Sequence, residues 1–207
     1  RADPGFAIGG ELHETGAYAH RGSGDVFVTE ADESDGSFLR LGAIAGVITN
    51  IEPDHINYWG SFEPLIAAFE QFVLDIGSRG GVVVACLDDE VTRRVIEVGR
   101  AGGAKVRTYG FSEEADYHVV VHDRSGSGWT FDVAVDGVRT PRITLQVPGA
   151  HNVLNATAAL ATAIELGFSD TEAAAGLEKF TGTRRRFDFR GEADDIRVFD
   201  DFAHHPT

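Results

Sequence analysis

The sequence has no methionine, a single cysteine and few basic residues, and each shortage narrows what the protein can be. Methionine is absent even at position 1, so we interpret the 207 residues as a segment of a longer polypeptide. The lone Cys86 excludes an internal disulfide and lies in an apolar run, which predicts a buried strand residue. No apolar stretch approaches the ~18–20 residues that cross a bilayer, and no signal peptide opens the chain. These features predict a cytoplasmic protein without membrane insertion.

Acidic residues outnumber basic ones, 33 to 18, which gives a net charge of −15. A sequence-independent grip on nucleic acid requires a basic stripe, so the charge argues against that class of partner. The excess acid has two interpretations that charge alone does not separate. It is a general solubilising background, or it reflects carboxylates gathered around a metal ion.

The first half of the chain alternates short apolar runs with helical patterns, which is typical of βαβ units. Residues 26–30, 45–50 and 82–87 are predicted to be buried parallel strands. Between the last two, apolar residues recur every three or four positions over 62–76, which predicts an amphipathic helix capped by Ser61. The fold class is therefore α/β, with a mostly parallel sheet flanked by helices.

From 117 to 147 the hydrophobic period shortens to near-alternation, which predicts antiparallel strands in a small β-layer. Turns are expected at Arg124–Gly128 and Asp136–Gly137. Helices are then predicted at Asn152–Leu166 and near Asp170–Phe180, followed by a short final strand that leads into a polar tip.

Acidic clusters follow two of the predicted strands at the edge where open parallel sheets bind ligands. Glu30–Phe38 carries Glu30, Asp32, Glu33 and Asp35, and Asn50–His55 ends in a carboxylate and an imidazole. Mg²⁺ prefers oxygen ligands, so a metal or phosphate site is one interpretation. The alternative is structural, because acids after a strand often cap the next helix and a histidine there is often only a loop residue.

Three further segments combine polar groups with plausible structural roles. Asn152 and Asn155 point in a similar direction on a helix and suit a planar heterocycle, although Asn152 also serves as a helix cap. Arg184–Arg186 is a phosphate clamp or a solvated run. Asp200–Pro206 is an interdomain hinge or, less readily, a zinc site without a companion cysteine.

Taken together, EADESDGSFL, TNIEPDH, PGAHNVLNATAA, RRFDF and DDFAHHPT, in this order, resemble the Mur ligases of bacterial peptidoglycan synthesis over essentially the whole chain. The resemblance implies an ATP- and Mg²⁺-dependent reaction. A substrate carboxylate attacks the γ-phosphate, and an amine then attacks the resulting acyl phosphate. It also implies that residues 1–195 form the central domain without its N-terminal P-loop part, and that 196–207 begin a linker to a C-terminal amino-acid-binding domain.

The resemblance assigns roles to individual positions, and Glu30, His55 and Arg186 are the implied catalytic residues. The implied ligand sets are Glu30 and His55 for the metal; Asn152, Asn155, Arg186 and Asp201 for ATP; and Asp32, Asp54 and His55 for substrate.

One departure selects a branch of the family. Ligases that add later peptide units carry a carbamoylated lysine where this sequence has Phe69, which indicates the branch that joins L-alanine to UDP-N-acetylmuramate. The alternatives are a muropeptide-recycling ligase, whose motif reads closer to DEYD, and a non-catalytic nucleotide-binding module. No G-x-x-x-x-G-K-[ST] loop occurs in the sequence, so we expect the segment alone to be inactive.

Overall fold

A computed structural model describes residues 3–124 and 128–203. The chain divides into two compact units, which are treated separately below: unit 1 comprises residues 1–31 and 180–207, and unit 2 comprises residues 32–179. Among the described residues, none of the helices combines the length and apolar character that a membrane span requires.

The elements follow one another in chain order. They are β1 (Gly5–Ala7), β2 (Ala19–His20), β3 (Phe27–Thr29), a 3₁₀ turn (Ser37–Arg40), β4 (Ala45–Ile48), α1 (Ile56–Trp59), α2 (Phe62–Ser78), β5 (Val82–Cys86), α3 (Glu90–Ala101), β6 (Lys105–Gly110), β7 (Tyr117–Asp123), β8 (Thr130–Val135), β9 (Val138–Arg139), β10 (Ile143–Thr144), α4 (Ala150–Glu165), α5 (Asp170–Leu177), β11 (Asp188–Ala193) and β12 (Ile196–Asp200).

Unit 2 is built on a seven-stranded sheet in the order β10-β8-β7-β6-β5-β4, with β9 paired to β8. Strands β4 to β7 run parallel, whereas β8, β9 and β10 are antiparallel to their neighbours. The predicted α/β fold with antiparallel strands is thus confirmed. β7 pairs in parallel with β6 and antiparallel with β8, so the antiparallel strands extend the same sheet.

Two apolar cores cover the two faces of this sheet. Side chains alternate along β5, so Val83 belongs to the core that contains α2 and α3, and Val84 to the core that contains α4 and α5. All five β5 residues are buried, including Cys86, which is why the run is continuously apolar. Helix α2 buries Leu65, Ile66 and other members of its predicted apolar stripe, which confirms the periodicity argument.

Two predicted turns meet different outcomes. Asp136 and Gly137 both have positive φ, 50° and 80°, the backbone that the tight β8–β9 hairpin requires. The predicted Arg124–Gly128 turn lies largely outside the described residues, since 125–127 are not described.

The prediction that 26–30 is a buried strand is wrong. β3 does pair in parallel with β1, but Phe27 is 64% and Val28 50% exposed. β3 is the edge strand of a three-stranded sheet, and the described part of unit 1 contains strands but no helix to cover its apolar side chains.

The final predicted strand is β12, which forms a hairpin with β11. The predicted domain boundary at residue 196 falls at the turn of this hairpin, and its meaning as the start of a linker stays a prediction.

Candidate functional site

Three ligand-type side chains gather in unit 2 beyond the carboxyl end of β4. Single ligand atoms of Glu33, Asp54 and His55 all lie within 4.8 Å of one another. His55 Nε2 is 3.8 Å from Asp54 Oδ2, and both side chains are only a little over one-third exposed. The His55 backbone N–H donates to Asp54 Oδ1 at 2.6 Å, which fixes that carboxylate beside the ring. The arrangement offers a cation two carboxylates and an imidazole.

The backbone at His55 has an unusual conformation. His55 has φ 52° and ψ 31°, in the left-handed region that residues with a Cβ seldom adopt. The Trp59 indole N–H, one turn further on in α1, donates to the Glu33 carbonyl at 2.9 Å. The loop that carries Glu33 is thereby tied to the segment that carries His55.

Carboxylates after the neighbouring strand β5 are used differently. Asp88 accepts the backbone N–H groups of Phe111 and Ser112, and Asp89 caps α3 by accepting from Thr92. These acids serve the structure, whereas the Glu33 carboxylate has no hydrogen bond or ion pair to a protein donor among the described residues.

Asp32 and Asp35 make local turn hydrogen bonds and not the helix cap that the sequence left open, because the N-cap of the 3₁₀ turn is Gly36. Each accepts a backbone N–H two residues on, from Ser34 and Ser37 respectively. Hydrogen bonds from Ser34 lower the pKa of Asp32 below its usual value, and the nearby His55 contributes in the same direction. Asp32 is therefore held as an anion, with one oxygen committed to its own loop.

Glu30 belongs to unit 1 and directly follows β3. Its Oε2 accepts the Gly9 backbone N–H at 2.7 Å, and its own N–H donates to the Ala7 carbonyl at 3.0 Å. Its other carboxylate oxygen has no protein donor within the described residues, and no lysine or arginine pairs with it there.

The predicted asparagine pair lies at the start of α4, but Asn152 is not the cap. Gly149 is the N-cap residue, with φ 101°, and the helix begins at Ala150, two residues before Asn152. Asn152 Nδ2 instead donates to the Pro148 carbonyl at 2.7 Å, which leaves its Oδ1 free. Asn155 is exposed, and none of the described residues bonds its amide.

The three consecutive arginines of unit 1 differ in what they contact. Arg184 Nε lies 3.0 Å from a Glu11 oxygen, and the Arg185 guanidinium stacks over Phe202 at 4.6 Å. Arg186 is exposed and has no side-chain partner within the described part of the chain. Among the three, Arg186 is the one left available to an anionic ligand.

Asp201 is brought near this arginine segment by the main chain. The N–H of the next residue, Phe202, donates to the Arg185 carbonyl at 2.8 Å. Asp201 Oδ1 accepts from Ala203 N at 2.9 Å, so one carboxylate oxygen remains for a hydroxyl donor. The adjoining His204 and His205 lie outside the described residues.

A profile described as the Mur ligase middle domain matches residues 11–163. The chain belongs to the Mur ligase family.

Within this family, two sequence relatives and one solved structure carry the same enzyme name. The chain is 50% identical over 206 residues to the UDP-N-acetylmuramate–L-alanine ligase of Acidothermus cellulolyticus, matching all of this chain and 43% of that protein. The enzyme of that name from Saccharopolyspora erythraea is 47% identical over 210 residues, matching all of the chain and 42% of that protein. The crystal structure of UDP-N-acetylmuramate-alanine ligase MurC from Thermotoga maritima superposes with a TM-score of 0.81 at 29% identity, covering all of this chain and 45% of that one. This Mur ligase chain thus spans less than half the length of these relatives.

Sequence reasoning singled out Arg186 and Asn155, whose side chains have no partner among the described residues, but it missed two features. It gave Glu33 no separate role, although Glu33 joins Asp54 and His55, because one carboxylate in a run of four looks like the others. It also passed over Gly9, which contacts Glu30 from 21 residues away.

The aromatic ring of Phe69 lies 5.2 Å from that of Phe38 and packs against an apolar core.

Proposed function

We propose that the protein to which this chain belongs joins L-alanine to the lactyl carboxylate of UDP-N-acetylmuramate, with ATP hydrolysis and an acyl-phosphate intermediate, in the bacterial cytoplasm. The observation that carries the proposal is the cluster of Glu33, Asp54 and His55 at the carboxyl end of a parallel strand. Relatives of that name, similar over the whole chain, supply the substrate assignment.

The donors fit Mg²⁺, because carboxylate oxygens are the ligands it prefers and one or two suffice alongside substrate phosphates. We assign His55 to the metal, with Asp54 and Glu33 supplying further oxygens or orienting a bound water. Glu30, in unit 1, is proposed as a metal ligand from the motif in which it stands. Glu30 is suited to this role because its one free oxygen has no competing cation. When bound, the metal neutralises charge on the transferring phosphoryl group.

The remaining groups bind and orient ATP and UDP-N-acetylmuramate. Asn152 and Asn155 present amide donors and acceptors on one face of α4, which matches the edge of adenine. Arg186 supplies a planar cation for the ATP phosphates, and Asp201 an acceptor for a ribose hydroxyl. Asp32, held as an anion, and Asp54 contact UDP-N-acetylmuramate or the amino group of L-alanine.

The test is an assay of ADP and phosphate release by the full-length protein with ATP, UDP-N-acetylmuramate and L-alanine. Release that requires all three supports the proposal. A requirement for a tripeptide in place of L-alanine would indicate the recycling ligase, and no release with either acceptor would indicate a non-catalytic module. We expect the isolated 207-residue chain to be inactive.

A pair of histidine substitutions tests the site itself. His55→Ala should reduce turnover by roughly 100-fold or more, since a positioned metal or acid–base group contributes about that much. His118→Ala is the matched control, because His118 lies on β7, away from the carboxyl end of β4. Equal losses in the two variants would contradict the assignment of His55.

A further inference from the structure

We propose that Gly9 is a positioning residue that sets the Glu30 carboxylate for the metal ion, an inference that rests on the metal role proposed for Glu30. Two hydrogen bonds join the end of β1 and the residues just after it to Glu30, the residue after β3. Gly9 N–H donates to Glu30 Oε2 at 2.7 Å, and Glu30 N–H donates to the Ala7 carbonyl at 3.0 Å. Residues 7–9 therefore fix both the backbone and the side chain of Glu30.

The absence of a side chain at Gly9 is what makes room for the carboxylate. A Cβ at this position would lie 3.1 Å from Glu30 Oε1 and 3.2 Å from Oε2, closer than ordinary van der Waals contact. Gly9 is not among the glycines with positive φ, so its backbone conformation is open to alanine. An alanine here would therefore force the Glu30 carboxylate to move by a few tenths of an ångström.

The contact leaves Glu30 prepared for a cation. One oxygen is oriented by a neutral main-chain donor, and the other has no donor among the described residues. Glu11 of the same unit, by contrast, is already paired with Arg184. An oriented carboxylate without a counter-cation is the form that an incoming metal ion needs, and neighbours that orient a ligand typically govern metal affinity by about 10–100-fold.

Gly9→Ala isolates this role, because the methyl group displaces the carboxylate while the N–H donor remains. Gly10→Ala is the matched control. A Cβ at Gly10 would meet Thr183 at 3.4 Å, which is ordinary contact, and Gly10 also lacks a positive φ.

The experiment titrates the full-length protein, with a non-hydrolysable ATP analogue present, with Mn²⁺ and follows free Mn²⁺ by electron paramagnetic resonance. We expect Gly9→Ala to weaken Mn²⁺ binding about tenfold and to raise the Mg²⁺ concentration for half-maximal turnover by a similar factor. Gly10→Ala should change neither. Unchanged Mn²⁺ affinity in Gly9→Ala, or an equal loss in Gly10→Ala, would overturn the inference.

Glu30→Gln separates this failure from failure of the proposed function. If Glu30→Gln leaves Mn²⁺ affinity unaltered, Glu30 is not a metal ligand, and both the metal assignment and the inference about Gly9 are wrong. If Glu30→Gln loses Mn²⁺ and Gly9→Ala keeps it, the metal assignment stands and only the positioning role fails.

Discussion

Replacing the three consecutive arginines one at a time separates phosphate binding from stability, because the structure gives each a different partner. Arg184 pairs with Glu11, and Arg185 stacks on Phe202, whereas Arg186 has no side-chain partner among the described residues. We predict that Arg186→Gln impairs use of ATP without destabilising the protein, and that Arg184→Gln does the reverse.

The magnitudes follow from those contacts. A hydrogen bond to a charged group contributes about 1.5–3 kcal/mol, so loss of a guanidinium–phosphate contact should lower kcat/KM for ATP roughly 10- to 150-fold. Arg186 is exposed, so its replacement should change the free energy of unfolding by less than about 0.5 kcal/mol. Arg184 is 57% and Glu11 17% exposed, so their ion pair contributes at most about 1 kcal/mol.

The assay measures initial rates of ADP release by the full-length protein over a range of ATP concentrations, with urea unfolding of the same variants. The reasoning is refuted if Arg184→Gln lowers kcat/KM for ATP as much as Arg186→Gln does. It is also refuted if Arg186→Gln leaves the kinetics unchanged.

Three further predictions concern unit 2. Asn155→Ala should raise the KM for ATP in steady-state assays and weaken discrimination against GTP, because an exposed amide on α4 is lost without disturbing the core. Burial raises the pKa of Asp132, but hydrogen bonds from His122 and Arg139 outweigh it, so the net pKa is lowered. Such a group stabilises the fold fully above its ordinary pKa and loses that contribution as pH falls through the lowered value. The unfolding free energy of Asp132→Asn should therefore fall about 1–3 kcal/mol below that of the unsubstituted protein at pH 7, and urea titrations should show the gap closing below about pH 4. Glu165→Ala should cost about 2–4 kcal/mol in the same titrations, since that carboxylate is 9% exposed and pairs with a lysine, an arginine and a tyrosine.

Two elements of the core could be predicted from the sequence. β5 is buried on both faces, which leaves a continuous apolar run, and α2 is buried on one face, which leaves a periodic apolar pattern. β3 also lies in a short apolar run, yet its Phe27 and Val28 are exposed. A local pattern records how apolar a strand is, whereas burial depends on which elements pack against it.

The site residues were also only partly predictable from the sequence. The motifs drew attention to Arg186 and Asn155, whose side chains have no partner among the described residues. Sequence reasoning did not separate Asp32, whose carboxylate is partly used by Ser34, from Glu33, whose carboxylate has no such partner. That distinction depends on the hydrogen bonds each loop makes after folding.

Helix α4, which carries the two asparagines proposed to bind adenine, packs closely against the sheet. Its buried face consists largely of small residues, including Ala156, Ala158 and Ala161, which let the helix lie close against the sheet. Its last residue, Glu165, is an anion at the helix end where the macrodipole disfavours one, and Lys105 at 2.6 Å compensates that charge. The helix is thus fixed along its face and at its C-terminal end, while its first turns carry the two asparagines. Substitutions at its buried face should therefore lower stability and ATP affinity together, whereas Asn155→Ala should lower ATP affinity alone.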